Sequence, residues 1–313
     1  MNKKTKRFVT RWIGFISFRL FAFISAKLPL TVSYFIGRII GKLFNLPVTR
    51  YRKVALESLA IAFPQKSINE RRQIAKESIV MVIQGGLELL YFYRNTQRLT
   101  DVRIEGREYL DAALKSNKGV VGVTAHFGNF PLMLLKLAKE GYSVNTLLRP
   151  MRDPKAGDYV YNLCKGAGIG TIFSYPRREV VNGTISALRD NEIVLIQMDQ
   201  NFGTGGVWVD FFGRLAATPV GPIVFASRTE ATILPIYIVR EGVGKHCIKI
   251  LPPQPLEKTD NRDETILLSA IKITKIIESW IKAHPSQWAW IHRRWKSRPS
   301  EKVKDIRFKV QKI

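Results

Sequence analysis

Cysteine is scarce in this chain. Two thiols, Cys164 and Cys247, among 313 residues cannot build a multi-bridge framework, which points to folding in a reducing compartment. No Cys/His cluster has the short spacing of a structural zinc site, so neither a metal nor a cofactor is expected. No repeat or low-complexity linker breaks the sequence. Acid is sparse too: 25 Asp and Glu stand against 50 Lys and Arg, a formal charge of +25. The first 53 residues carry twelve Lys/Arg and no carboxylate, and residues 293–313 carry nine Lys/Arg against Glu301 and Asp305. Long uncharged apolar runs are also missing. The greasy stretch from Phe8 to Pro47 is interrupted by Arg11, Arg19, Lys27, Arg38 and Lys42, and its longest uncharged run, Leu28–Gly37, has ten residues. A spanning helix needs about 20 predominantly apolar residues, and the segment lacks a signal-peptide pattern.

What remains is a chain that is 46% hydrophobic, enough for a sizeable core and against wholesale disorder. The charge excess calls for an anionic partner: nucleic acid, an acidic membrane surface, or an acidic substrate or carrier. Because most of it sits at the two ends, the body between Val54 and His292 has the balance of an ordinary enzyme. In residues 1–50, Phe8, Trp12, Phe15, Phe18, Phe21 and Phe23 are interleaved with basic residues. That mixture suits a headgroup-level membrane anchor. The competing reading is a core helix pair with its arginines at the rim.

Pro29 and Pro47 punctuate two N-terminal helical stretches, and Asn69–Arg94 has a long helical pattern. After Thr100 short β-branched runs alternate with helical ones. Gly119–Thr124, Val144–Leu148, Ile193–Met198, Thr232–Val239 and Cys247–Leu251 read as strands; Pro131–Glu140, Gly157–Lys165, Val180–Arg189, Gly221–Thr229 and Asp263–Lys282 read as helices. The alternation predicts an α/β fold, a mostly parallel central sheet flanked by helices. Three regions follow: basic apolar membrane-associating helices over 1–50, a catalytic domain over 51–299, and a basic tail over 300–313.

Four stretches carry candidate chemistry. In Gly119–Met133 a hydrophobic strand ends at Ala125, and His126 sits at its tip, where open α/β sheets place ligands. Gly128 permits a tight turn, Asn129 or Phe130 would cap the next helix, and Pro131 fits its first turn. An imidazole there suits proton transfer; the plainer reading is a structural, hydrogen-bonded histidine. In Ile193–Gly203, Asp199 ends another apolar strand and is followed by Gln200, Asn201 and Gly203. In a parallel sheet Asp199 and His126 share one edge, where the carboxylate could bond one ring nitrogen and leave the other as a base; alternatively it ties the following loop. Arg149 ends a third strand and could bind a phosphate or an oxyanion, or make a surface ion pair. Last, the His284–Pro299 stretch interleaves tryptophans with Arg293, Arg294, Lys296 and Arg298. It could bind nucleic acid, sit at a lipid interface, or pack as a terminal element.

Taken in order, His126-Phe-Gly-Asn-Phe130, Arg149-Pro150, Asp199-Gln-Asn-Phe-Gly203, Val209-Asp-Phe-Phe-Gly213 and Pro285-Ser-Gln-Trp-Ala-Trp-Ile-His-Arg-Arg-Trp-Lys-Ser-Arg-Pro299 resemble the motifs of the lipid A biosynthesis (lauroyl/myristoyl) acyltransferase family. Ala62-Phe63-Pro64 is also similar to the family's pattern. The resemblance covers roughly residues 10–299. It implies a glycerol-phosphate acyltransferase-like α/β fold at the cytoplasmic face of the inner membrane. The donor would be a fatty thioester of acyl carrier protein, or of coenzyme A, and the acceptor a hydroxyl of an anionic glycolipid such as a lipid A precursor. His126 would be the general base, with Asn129, Arg149, Gln200 and Arg293 at the substrate and the first-turn amides of Leu132 and Met133 as oxyanion donors. Nucleic acid is not an expected partner. One departure stands out. The family's H-x4-D/E acid falls on Pro131, so either Asp199 supplies the carboxylate, or His126 works unaided, or the chain is an inactive relative.

Overall fold

In a computed structural model, residues 22–45, 50–151, 153–203 and 205–299 are described. Phe8 to Phe21 of the expected membrane anchor, and the 300–313 tail, lie outside them. After a helical segment over residues 22–25 come α1 (Leu30–Asn45), α2 (Arg50–Ala62) and α3 (Ile68–Arg94). Ser67 and Glu70 close a reciprocal capping box at the start of α3. Helix α1 lies along α3, where Gly37 and Gly41 leave room only for the Gln84 and Val80 side chains.

The body follows as β1 (Val102–Glu105), α4 (Arg107–Lys115), β2 (Val120–Thr124), α5 (Phe130–Lys139), β3 (Val144–Leu148), α6 (Pro154–Ala167), β4 (Ile169–Phe173), α7 (Arg177–Arg189) and β5 (Ile193–Gln197). A hairpin of β6 (Val207–Phe211) and β7 (Arg214–Thr218) comes next, then α8 (Gly221–Thr229), β8 (Thr232–Gly242), β9 (Lys245–Ile250) and α9 (Arg262–Ala283). The main sheet has seven strands in the order β1-β9-β8-β2-β5-β3-β4. Strands β8, β2, β5, β3 and β4 are parallel, and β9 runs antiparallel to β8. The mostly parallel sheet expected from the alternation is therefore present. Central β2 is buried at every position, as a parallel strand covered on both faces must be.

The core lies on both faces of the sheet. Leu188, Ile223, Ile277 and Trp280 belong to one apolar cluster, and Leu110, Leu132, Leu137 and Phe92 to the other. Strand register then sets the functional edge. Thr124 of β2 stands beside Gln197 of β5, so His126 and Asp199, each two residues further on, emerge side by side.

Candidate functional site

His126 leaves β2 just before a turn that only glycine makes. Gly128 has φ +57°, and a Cβ there would come within 2.0 Å of the Ile238 carbonyl oxygen. Behind the turn Asn129 caps α5, its side chain accepting from the Leu132 amide at 3.4 Å. The His126 ring is held edge-on to Phe130, with centroids 5.3 Å apart.

The His126 Nδ1 atom lies 2.9 Å from Asp199 Oδ1, and the His126 backbone N–H donates to Asp199 Oδ2, also at 2.9 Å. Trp288 donates its indole N–H to the same Oδ2 at 2.7 Å. Asp199 is buried and has donors on both oxygens. Burial pushes its carboxyl upward, but the charge of His126 and these hydrogen bonds outweigh it and hold Asp199 below the usual carboxylate range. For His126 burial acts downward, and Asp199 overrides it and raises the imidazole above its ordinary value. Asp199 thus fixes Nδ1 as the protonated nitrogen and leaves Nε2 with a lone pair. Nε2 faces the Gln200 side-chain amide at 3.1 Å and a cavity of about 510 Å³, walled by Met81, Val82, Leu89, Phe130 and Ile291. The ring is open to a ligand. An adjoining apolar recess of about 270 Å³ shares Val82, Ala289 and Ile291 with it and continues to Ile79, Ile83 and Trp290.

The C-terminal stretch clamps this edge. The Gly128 N–H donates to the Gln287 carbonyl at 2.8 Å, and the Ala289 N–H to the His126 carbonyl at 3.1 Å. His292 Nε2 accepts from the Asn201 amide at 3.0 Å. Burial lowers the His292 pKa, which suits an acceptor nitrogen. Arg294 is fully buried and donates to the carbonyls of Gln200 and Ala217 and to the Thr218 hydroxyl. Burial brings its guanidinium down to about 10. Trp288, Trp290 and Trp295 are buried in the apolar core, and only an edge of Trp290 and of Trp295 borders a cavity. Of the readings open for this stretch, terminal packing is the one the structure shows. Sequence reasoning missed Trp288, His292 and Arg294 as parts of the site. Their alternation with apolar residues in an unclassified loop offered no periodicity to read.

The other expected residues divide. Gln200 is at the histidine. Asn129 lines the cavity, but its amide nitrogen donates to the Gly85 carbonyl at 3.0 Å and to Glu88 Oε2 at 3.1 Å. Its polar atoms are taken up inside the protein, so it is a structural cap. The amides of Leu132 and Met133 are likewise engaged, with the Asn129 side chain and carbonyl; they are not free oxyanion donors. Arg149 ends β3 on the same sheet edge, yet it is exposed and does not line the His126 cavity, because β5 separates β3 from β2. Arg293 points into a different cavity, described below. Pro131 occupies the first turn of α5; the carboxylate at His126 comes from Asp199.

A second acid–histidine cluster lies deeper. Glu88 of α3 accepts from Tyr34, Asn129 and Arg240, and His246 Nε2 lies 2.9 Å from its Oε1. Burial opposes ionisation of Glu88, but His246 and Arg240 prevail and hold it at about 2. Among the described residues, no group of three or more His, Cys, Asp or Glu is placed to hold a metal.

Fold and site together define an α/β enzyme with a carboxylate-oriented histidine at the C-terminal edge of a parallel sheet, opening on an apolar cavity. Residues 1–297 match the family described as bacterial lipid A biosynthesis acyltransferase, and the chain belongs to that family. It is an acyltransferase. It is 27% identical over 285 residues to the lipid A biosynthesis lauroyltransferase of Escherichia coli K12 and 28% identical over 283 residues to that organism's lipid A biosynthesis palmitoleoyltransferase, in each case covering 87% of this chain and 88% of the relative. It is also 26% identical over 210 residues to the phosphatidylinositol mannoside acyltransferase of Mycobacterium tuberculosis, covering 67% of this chain and 65% of the relative.

Proposed function

We propose that this enzyme moves a fatty acyl chain from the thioester of acyl carrier protein to a hydroxyl of a lipid A precursor or a related glycolipid, with His126 as general base. One observation carries the mechanism: His126 Nδ1 is bound by a buried carboxylate while Nε2 faces the 510 Å³ cavity. The acceptor hydroxyl displaces the Gln200 amide from Nε2 and gives up its proton there as its oxygen attacks the thioester carbonyl. Asp199 stabilises the imidazolium that forms. The displaced Gln200 amide turns its N–H to the tetrahedral oxyanion. Collapse breaks the C–S bond, and the imidazolium returns its proton to the departing thiolate. No acyl-enzyme is needed. The acyl tail lies in the apolar recess beside Ile79, Ile83 and Ile291.

The same reading puts the enzyme on the cytoplasmic face of the inner membrane. No helix among the described residues is long and apolar enough to cross a membrane. Helix α1 instead exposes Val32, Phe35, Ile39 and Leu43, whose spacing of three and four residues gathers them on one face. Arg38 and Lys42 are exposed on the same helix. Such a helix suits lying in an anionic headgroup layer.

The test is His126→Ala in the full-length chain, with turnover of an acyl-carrier-protein thioester followed by mass spectrometry of the lipid product. Turnover should fall by roughly 10²–10⁴ with the melting temperature kept. Near-normal turnover would rule the base out, and transfer from acyl-CoA alone would replace the donor.

A further inference from the structure

The four basic residues of the C-terminal stretch have separate fates. Arg294 is spent on the site loop. Arg293, Lys296 and Arg298 join Arg214 of β7 around a cavity of about 610 Å³. Helix α2 lines the same cavity with Val54, Glu57, Ser58 and Ile61, and Trp295 lines it too. Four cations thus face one carboxylate. None of the four makes an ion pair within 4 Å among the described residues. Four cations gathered in a concavity with a single carboxylate repel one another, and an anion placed among them relieves the repulsion. Guanidinium forks match the oxygens of phosphate.

The cavity is also placed to work with His126. Two continuous elements run from the apolar recess to it. On the C-terminal stretch, Trp290 and Ile291 line the recess while Arg293, Trp295, Lys296 and Arg298 line the cationic cavity. On α2, Tyr51 lines the recess and Glu57 and Ser58 the cationic cavity. Six residues of helix span about 9 Å, which is the scale of one or two sugar rings. Mixed walls, with Val54, Ile61 and Trp295 beside the cations, suit the sugar face of a headgroup.

We propose that this cavity is an anion subsite that holds a phosphate group on the headgroup of the glycolipid acceptor while its hydroxyl is presented to His126. The proposal rests on the acyltransferase reading for its purpose, but its binding test does not depend on turnover. The concave shape favours a headgroup over the flat acidic face of a carrier protein.

The experiment uses the full-length chain and its Arg293→Ala/Lys296→Ala/Arg298→Ala variant, all three positions being exposed. Binding is measured to uncharged phosphatidylcholine vesicles doped with a phosphorylated glycolipid or with the same glycolipid lacking phosphate. The wild type should prefer the phosphorylated lipid by at least tenfold, and the variant should lose that preference. The Arg293→Lys single variant should keep most of it. Inorganic phosphate separates the sources: a lipid headgroup site requires millimolar phosphate to compete, while equal affinity for free phosphate would mean that a soluble anion is the ligand and would overturn the proposal. In turnover assays the triple variant should raise KM for the phosphorylated acceptor about tenfold and leave kcat unchanged. Equal vesicle binding by wild type and variant overturns the proposal, as does loss of carrier-protein affinity with headgroup preference kept. Headgroup preference in the wild type that is lost in the triple variant, with no acyl transfer by the wild type to the same lipid, would overturn the proposed acceptor reaction and leave the subsite standing.

Discussion

Among the described residues two histidine–carboxylate pairs have nearly the same spacing, and they differ in whether the histidine opens on a cavity. His126 meets Asp199, and His246 meets Glu88, each at 2.9 Å. Around Glu88 everything is enclosed: both side chains are fully buried, and Arg240, Tyr34 and Asn129 complete the carboxylate. The ring atom left over, His246 Nδ1, is buried and has no hydrogen-bond partner among the described residues. At the sheet edge, the His126 side chain is 29% exposed against 1% for Asp199. The acid is sunk and the base is left open. The contrast teaches that the same pairing serves two ends: under the proposed mechanism, access to the second nitrogen is what separates a base from a buried tie. The inner pair ties α1 and α3 to β8 and β9 and, through Asn129, steadies the cap of the helix that follows His126.

Each difference between the pairs can be broken separately. The largest effect on turnover belongs to His126→Ala, given above. On the inner pair, Glu88→Gln should show up as stability, because it strands the buried Arg240 charge. A loss of about 3–5 kcal/mol is expected, measured by denaturant unfolding at neutral pH. Glu88 is held at about 2, below its ordinary 4.5. Its contribution is therefore full above that ordinary value and fades as pH falls toward 2, so the gap between wild type and variant should close over that range. A gap that stays constant would deny the ion pair its role.

Asp199→Asn should cut turnover roughly 10²-fold and move the pH profile. Under the proposed mechanism His126 must be neutral to act as base. In the wild type Asp199 raises the His126 pKa, so activity should rise on the alkaline side of 6.5. Without that charge burial acts unopposed, and the acid limb should shift to lower pH. An unmoved limb would mean that His126 works without Asp199. The smallest effect is expected from Trp288→Phe, which removes one of three donors to Asp199 and keeps the aromatic packing. A hydrogen bond to a charged group is worth about 1.5–3 kcal/mol, but two donors remain, so a loss of about tenfold in kcat is expected, with KM little changed. A KM effect alone would assign Trp288 to the cavity wall.

The parallel sheet and its edge were legible in the sequence because buried strands such as Val120–Thr124 and Ile193–Gln197 are short runs rich in Val and Ile with polar residues at or just beyond their ends. Their adjacency followed from parallel order, which brought His126 and Asp199 together. Less visible were β1, β4 and the β6–β7 hairpin, whose short strands are only partly buried and carry weak alternation. The turn between β6 and β7, Phe212-Gly213, places a non-glycine residue at φ +54°, against the usual turn signal. Arg149, at the end of a strand, and Arg293, in the terminal motif, are the cations that the sequence offers for the site. Strand order put the first outside the cavity, and the fold turned the second into a neighbouring one while burying Arg294 beside it. Glu88 gave no signal, since a carboxylate on a helix acquires meaning only when α1, β8 and β9 close around it.

The most direct test sets the two histidines against each other. His126→Ala and His246→Ala are compared in one acyl-transfer assay, with turnover normalised to folded protein. The account predicts a loss of roughly 10²–10⁴ for His126→Ala at an unchanged melting temperature, and near-wild-type turnover for His246→Ala at a lowered one. Comparable turnover in the two variants would contradict it.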